Sequence, residues 1–295
     1  MAPHVVLVNP SSAGGRTVEQ VPPLVRALEA RGIDHEIVVT ESLEHGRRRA
    51  LAAAAAGAVP VVMSGDGLLG QVGGALAGSG AALGLIPGGR GNDLARVLGV
   101  PRELEGAVEV LAAGATREID VGEVNGRRFL GIASCGFDSD ANRIANEARW
   151  VRGNLIYAYA ALRALAGWKP ARFRIEIDGS ERELTGYSVA AANSSTYGGG
   201  MLIAPDAELD DGLLDVVGTG EVGKLRFLVN LPKVFKGTHV DEDSVIVSRG
   251  AEVRIEADRP FAVYADGDHL TDLPATVRVL PRALRLIVPP AGRRG

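Results

Sequence analysis

The stretch Val59-Pro60-Val61-Val62-Met63-Ser64-Gly65-Asp66-Gly67-Leu68-Leu69-Gly70 decides the reading of this chain. A short β-branched run ends in a glycine-rich turn, and the helix-compatible Gln71-Val72-Gly73-Gly74-Ala75-Leu76 follows. A glycine turn that opens a helix offers backbone N–H groups and the positive end of the helix dipole to an anion, so phosphate is the expected guest. The spelling Gly65-x-Gly67-x-x-Gly70 also fits the dinucleotide-binding fingerprint. Two features count against that fit. Asp66 would set a negative charge against a pyrophosphate, and Arg90 and Asn92 stand about 20 residues on, where that fingerprint expects an acidic residue at a strand end. With Mg²⁺ bound, Asp66 becomes an asset, because the metal lies between carboxylate and phosphate oxygens. A tight turn with no ligand is the plain alternative.

Working outward, a second loop, Ile86-Pro87-Gly88-Gly89-Arg90-Gly91-Asn92-Asp93, follows the apolar Ala82 to Leu85 and precedes the helix-like Leu94 to Leu98. The first strand, His4 to Val8, ends in Asn9-Pro10-Ser11-Ser12-Ala13-Gly14-Gly15, again polar turn chemistry. Three loops at the carboxyl edge of one sheet can share one nucleotide. Across the first 120 residues, β-branched runs alternate with longer Ala/Leu-rich ones, as βαβ units with a parallel sheet require. Beyond Asp120 the segments are strand-length: Arg172 to Ile177, Tyr187 to Ala192, Leu213 to Val217, Phe261 to Tyr264, Thr276 to Val279 and Leu284 to Val288 are examples.

The expected fold is therefore α/β. A Rossmann-like parallel α/β nucleotide-binding domain spans 1–124, and a mainly antiparallel β-sandwich domain for the substrate spans 125–295, its C-terminal segment free to pack back on the first. A helical insertion is expected over Gly153 to Gly167, where Leu155, Tyr159, Leu162 and Ala166 recur at helical spacing. Two domains of different class imply a cleft between them, where small-molecule sites concentrate.

Composition narrows the classes. The chain has 295 residues, a formal charge of −4 and one cysteine, Cys135. No intrachain disulfide can form, a reducing compartment fits, and Cys135 reads as a small buried hydrophobe. No basic n-region precedes the first strand, so a secretory signal is not expected. The longest apolar stretch, Leu51 to Met63, is too short to span a bilayer. Nucleic acid is not an expected partner, since backbone neutralisation needs a strongly cationic surface. Charge is nevertheless uneven: from Asn142 to Arg174, Arg143, Arg149, Arg152, Arg163, Lys169, Arg172 and Arg174 face a single Glu147. With Trp150, Tyr157, Tyr159 and Trp168 interleaved, that segment is expected to dock on anionic lipid. The five histidines show no paired metal spacing, which disfavours a zinc hydrolase. A Walker-like near miss at Gly218 to Leu225 has Leu225 where the Mg²⁺-binding hydroxyl belongs.

Taken together these residues resemble the diacylglycerol kinase catalytic family, which includes bacterial lipid kinases and sphingosine kinases. The family's N-P-x-S-G-x turn matches Asn9 to Gly14, its G-G-D-G-T loop Ser64 to Leu68, and its P-x-G-T-G-N-D-x-A-R loop Pro87 to Arg96. Its I-D-x-G-x-x-N-G stretch is similar to Ile119 to Gly126, its G-x-D turn to Gly136 to Asp138, and its P-x-A-x-L-x-D-G-L-L-D signature to Pro205 to Asp215. The terminal D-G-E signature appears as Asp266-Gly267-Asp268. Departures are Ser64 and Leu68 for the usual Gly and Thr, Gln71 for Glu, Arg90 for Thr and Asp268 for Glu.

The resemblance implies an ATP- and Mg²⁺-dependent kinase that phosphorylates a lipid hydroxyl, most simply diacylglycerol to phosphatidic acid, in the cytoplasm and peripherally on a membrane. It implies Asp66, Asp93 and Asp120 as the carboxylate network that holds the catalytic Mg²⁺, directly or through water. ATP would be touched by Asn9, Pro10, Ser11, Ser12, Ala13, Thr40, Gly65, Asp66, Gly67, Leu68, Gly70, Gln71, Arg90 and Asn92. Asp266 would be the general base on the lipid hydroxyl. A structural metal is implied at Asp211, with backbone oxygens of Glu208 and Leu213 as co-ligands; a simple Asp-Gly turn is its alternative. A sphingoid-base kinase, a NAD kinase and a lipid-binding paralogue without catalysis are the rival readings. A homodimer is compatible with the sequence.

Overall fold

The computed structural model describes residues 2–137, 139, 163, 165 and 167–290. The N-terminal runs form parallel strands β1 (His4–Val8), β2 (His35–Val39), β3 (Val59–Ser64) and β4 (Ala82–Pro87), in the order β2-β1-β3-β4. All five residues of β1 are buried. A strand covered on both faces has no polar side to show, which is why Val5 to Val8 read as an unbroken apolar run. Helices α1 (Val21–Glu29), α2 (Leu43–Ala55), α3 (Asp66–Leu76), α4 (Asp93–Val97) and α5 (Leu104–Ala113) alternate with these strands. Pro22 and Pro23 open α1, and the Ser42 side chain caps α2 by accepting the His45 N–H at 3.0 Å.

Helix α3 begins at Asp66 rather than at Gln71. The glycines that read as loop are its first turns, and tertiary packing outweighs their helix cost of about 1 kcal/mol each. A Cβ at Gly73 would lie 2.6 Å from the Leu130 side chain, so the close seating of α3 on the second half of the chain depends on its absence.

That second half is an antiparallel β-sandwich: β5 (Thr116–Val124), β6 (Arg127–Phe129), β7 (Ile132–Gly136), β8 (Ala171–Ile177), β9 (Ser180–Ala192), the short pair β10 (Thr196–Tyr197) and β11 (Met201–Leu202), β12 (Leu214–Gly220), β13 (Val245–Gly250), β14 (Glu252–Ala257), β15 (Ala262–Ala265), β16 (Asp268–Asp272) and β17 (Ala275–Ile287). One further described helix, α6 (Lys224–Val234), leaves this sandwich between β12 and β13. Strand β8 alternates buried and exposed at every residue, the pattern of a sheet with one solvated face.

The two runs read as separate strands at Thr276 to Val279 and Leu284 to Val288 belong to one strand, β17. Its first residues pair with β14, its last run parallel to β4, and β5 lines most of its length. A register shift between Leu280 and Leu284 bends it, with Arg282 at φ 49°. One continuous sheet thus passes from the parallel half into the antiparallel half through the C-terminal strand.

One apolar core, including Leu7, Leu28, Val61, Leu83, Leu111 and Leu286, lies in the parallel half, and another, including Phe129, Phe173, Ile175, Tyr187 and Val253, in the sandwich. Trp168 belongs to the second core. It stacks on Tyr187 at 6.4 Å with Arg259 over its ring, which corrects its expected place on a membrane-facing surface. Arg172 and Arg174 pair with Asp258 and Glu181. Trp150, Tyr157, Tyr159 and most of the basic segment and helical insertion lie outside the described residues. Cys135 is buried in β7. Among the described residues no helix is long and apolar enough to cross a membrane.

Candidate active site

In the order β2-β1-β3-β4 the chain leaves β1 in both directions, so the crevice beyond the carboxyl ends of β1 and β3 is the topological switch point, where open α/β sheets bind ligands. The three polar loops meet there. Asn9 Nδ2 donates to Ser64 Oγ at 3.1 Å while Asn9 Oδ1 accepts the Ser11 N–H at 3.0 Å. Ser12 Oγ donates to the Gly88 carbonyl at 2.7 Å, tying the first loop to the third. Gly65 and Gly89 touch backbone to backbone: a Cβ on Gly89 would lie 2.4 Å from the Gly65 Cα. Asn92, left-handed at φ 53°, closes the third loop on itself, accepting the Gly89 N–H at 2.7 Å and donating to the Gly89 carbonyl at 2.9 Å.

Two carboxylates converge on this crevice. A Cβ at Gly91 would lie 3.0 Å from Asp66 Oδ2 and 3.1 Å from Asp93 Oδ2. Asp66 Oδ1 accepts the Leu94 N–H at 3.3 Å, and burial, reinforced by the charge of Asp93, raises its pKa above the ordinary aspartate range. Asp93 is 7% exposed; its Oδ2 accepts the Gly199 N–H at 2.8 Å, and its buried Oδ1 has no hydrogen-bond partner. A buried carboxylate oxygen without a donor, beside a second carboxylate, suits a divalent cation.

Asp120 is held by backbone donors. It is 0% exposed, and its oxygens accept the Gly212 N–H and the Arg282 N–H, each at 2.7 Å. It pins the 208–213 loop and the bend of β17. Among the described residues no group of three or more His, Cys, Asp or Glu side chains is arranged to hold a metal. Asp211 and Glu208 are exposed, and Asp211 Oδ1 accepts the Leu213 N–H at 3.0 Å, which an Asp-Gly turn explains without a metal.

Asp266 reaches the site from the sandwich. Asp266-Gly267 is the two-residue connection of the β15–β16 hairpin, with φ 52° and 90°, the backbone that Asp-Gly favours. Its carboxylate is wedged between Gly70 of α3 and Gly131, where Cβ atoms would each come within 2.6 Å. Oδ2 accepts the Leu130 N–H at 2.7 Å and Oδ1 the Gly131 N–H at 2.9 Å. Burial lifts its pKa to about 7 against those two donors, and Asp66 and Asp268 push it further up. Gln71 Nε2 donates to Asp268 Oδ2 at 3.2 Å, so the two departures from the family spelling meet as a pair.

A cavity of about 730 Å³ joins these groups to the sandwich. Asp66, Gly67, Gly70, Arg90, Asp93 and Asp266 line its polar end, and Ile132, Phe137, Ala190, Val217, Phe227 and Val234 its apolar end. Arg90 is exposed at the rim. Thr40 is buried beneath the first loop, its Oγ1 donating to the Val8 carbonyl at 3.2 Å. The Leu68 side chain is core, packed toward Gly46 and Thr40, so only its backbone can serve a ligand. Pro10 and Ala13 complete the first loop, Ala13 at φ 51°.

Sequence reading missed three parts of this site: the Leu130–Gly131 N–H pair, Gly199, and Asn193, whose Nδ2 donates to the carbonyls of Asp120 and Leu130. The Gly198-Gly199-Gly200 triplet, all at positive φ, was the available signal.

Comparison with known proteins agrees with the geometry. The Diacylglycerol kinase catalytic domain matches residues 3–124 and the YegS C-terminal NAD kinase beta sandwich-like domain residues 131–288. A diacylglycerol kinase of Mycobacterium tuberculosis is 38% identical over 296 residues, covering 97% of this chain and 95% of that protein. The chain belongs to the diacylglycerol kinase catalytic-domain family. Membership makes it a lipid kinase. A diacylglycerol kinase of Bacillus subtilis is 28% identical over 235 residues, 78% of this chain and 77% of that one. The crystal structure of a diacylglycerol kinase from Bacillus anthracis str. Sterne has the same fold, with a TM-score of 0.76 at 21% identity over 98% of this chain and 97% of that chain.

Proposed function

We propose that this lipid kinase transfers the γ-phosphoryl group of ATP to the free hydroxyl of diacylglycerol, giving phosphatidic acid, while peripherally bound to a membrane in the cytoplasm. The observation that carries the reading is the two-ended cavity. Its polar end joins three carboxylates to glycine-rich βα turns, and its apolar end suits acyl chains.

In this reading the loops at Asn9 to Ala13, Gly65 to Gly70 and Arg90 to Asn92 cradle the nucleotide phosphates through backbone N–H groups, with Arg90 as a phosphate partner. Asp66 and Asp93 would hold Mg²⁺, which neutralises charge on the transferring phosphoryl group. Asp266 accepts the hydroxyl proton as the acceptor oxygen bonds to the γ-phosphorus and the bond to the departing ADP oxygen breaks. A base with a pKa of about 7 is suited to that task near neutral pH. Two backbone donors and the absence of Cβ atoms at Gly70 and Gly131 hold its carboxylate in place, and such preorganisation is what phosphoryl transfer asks of a protein.

The test is radiolabelled transfer from ATP to diacylglycerol, sphingosine and NAD, with and without Mg²⁺. Phosphatidic acid as the main product, abolished in Asp66→Ala at unchanged thermal stability, is expected. Preferential labelling of NAD or sphingosine, or Mg²⁺-independent transfer, refutes it.

A further inference from the structure

The three most exposed large apolar side chains among the described residues all belong to one element. Leu225 is 77% exposed, Val229 64% and Phe235 53%, and all lie on α6 or in the turn that ends it. Successive helical residues are turned by about 100°, so Leu225, Val229, Pro232 and, one turn on, Lys236 share one side of the helix. Phe227, Asn230, Leu231 and Val234 share the other side, and these four line the cavity, as does Phe235 in the turn that follows. The helix is therefore a wall with two working faces, and none of its residues is fully buried.

An ordinary surface helix points its polar side outward. Here the outward side is apolar, and the charges that the segment itself carries are all basic: Lys224 to Lys236 contains Lys224, Arg226, Lys233 and Lys236 and no acidic residue, with Arg226 and Lys233 paired to Glu242. The helix is held at both ends. The Tyr187 hydroxyl donates to the Val222 carbonyl at 2.8 Å before it, and Arg226, Asn230 and Lys233 converge on Glu242 from behind. Eleven residues make a rod of roughly 16 Å, too short to cross a bilayer and long enough to lie in its surface.

We infer that α6 is an interfacial docking helix that beds Leu225 and Val229 into an anionic bilayer, with Lys224 and Lys236 at headgroup level. The occupant is identified by the pairing of exposed apolar side chains with the basic residues at both ends of the segment, Lys224 and Lys236, and by the position of the helix as a wall of the cavity. A lipid reaching the cavity would pass along this wall, a consequence that rests on the proposed lipid acceptor; the docking itself does not.

The experiment compares the wild-type chain with Leu225→Glu/Val229→Glu and with Lys224→Gln/Lys236→Gln. Cosedimentation is measured on vesicles of phosphatidylcholine with phosphatidylglycerol and on phosphatidylcholine alone, alongside turnover of long-chain diacylglycerol in vesicles and of monomeric short-chain diacylglycerol in solution. The apolar variant should lose at least about tenfold in binding to anionic vesicles, since two buried side chains are removed from the bilayer. Its turnover on vesicles should fall in parallel, and its turnover in solution and its melting temperature should match the wild type, because neither residue lines the cavity. The basic variant should lose several-fold in vesicle binding, with a weaker salt dependence than the wild type.

Unchanged vesicle binding in the apolar variant overturns the inference. So does an equal loss of turnover in solution, which would make the helix a substrate wall only. Wild-type chain that binds no vesicles but self-associates through these residues would assign the face to a second copy instead. Vesicle binding through α6 without phosphorylation of any lipid would support the docking surface and remove the proposed acceptor.

Discussion

Replacing Asp266 by Asn tests the chemistry at its centre. The wild-type carboxylate offers an acceptor to each of two N–H groups, Leu130 at 2.7 Å and Gly131 at 2.9 Å, and keeps lone pairs for the acceptor hydroxyl. Asparagine has one carbonyl oxygen, so one N–H must face an NH₂ group, and no base remains for the proton. Loss of a general base costs roughly 10²- to 10⁴-fold in rate, and the effect belongs in kcat rather than in nucleotide affinity. The expected result, in initial-rate assays with labelled ATP and short-chain diacylglycerol, is a kcat reduced by at least 100-fold with ATP affinity by calorimetry within a few-fold. The variant also reports on the charge. Because burial raises the folded-state pKa of Asp266 to about 7, above its unfolded value, the folded protein binds that proton more tightly and wild-type stability falls as pH rises toward 7. Asp266→Asn lacks this dependence, so its melting temperature should gain on the wild type between pH 5 and pH 8. Turnover within tenfold of wild type, or loss of ATP binding together with turnover, would refute the assignment of Asp266 as the base.

Further outcomes follow from the same geometry. Gly70→Ala should displace the Asp266 carboxylate, because the new Cβ would start 2.6 Å from Oδ2; kcat is expected to fall at least about tenfold with little change in melting temperature, measured by the same assay and by scanning calorimetry. The kcat/KM profile of the wild type should rise with pH through an ascending limb at or below about 7 as Asp266 loses its proton; a flat profile from pH 5 to 8 would contradict it. Asp93→Asn should weaken Mg²⁺ activation by at least about tenfold, read as the Mg²⁺ concentration for half-maximal rate. Asp120→Ala should remove the buried acceptor of the Gly212 and Arg282 N–H groups and cost roughly 1–3 kcal/mol in urea unfolding, whereas Asp211→Ala, on an exposed turn, should change stability little.

The alternation of β-branched and Ala/Leu-rich runs is enough to read the parallel half, because both element types carry their period in adjacent residues. Strand β17 was less legible. The bend at Pro281 and Arg282 breaks its apolar pattern, and only pairing with β14, β5 and β4 at once shows it to be one strand. The start of α3 was hidden for a related reason: glycine counts locally against a helix, and what tips the balance is a close contact with Leu130, 57 positions further on.

The candidate site divides the same way. Turn chemistry is local, so Asp178-Gly179 and Asp266-Gly267 both form two-residue hairpin connections with positive φ. Sequence determines that much for both, and the resemblance to a kinase family singles out the second. Tertiary structure decides what each carboxylate does. Asp178 spends its oxygens on the Ala251 and Glu252 N–H groups at the exposed edge of the sandwich. Asp266 is carried against Gly70 and Gly131 at the mouth of an apolar cavity and across from Asp66. Asp120, grouped with Asp66 and Asp93 by its motif, is claimed by the backbone of Gly212 and Arg282. An aspartate's neighbours in space are set by strands that pair across more than a hundred residues, and no local pattern encodes them.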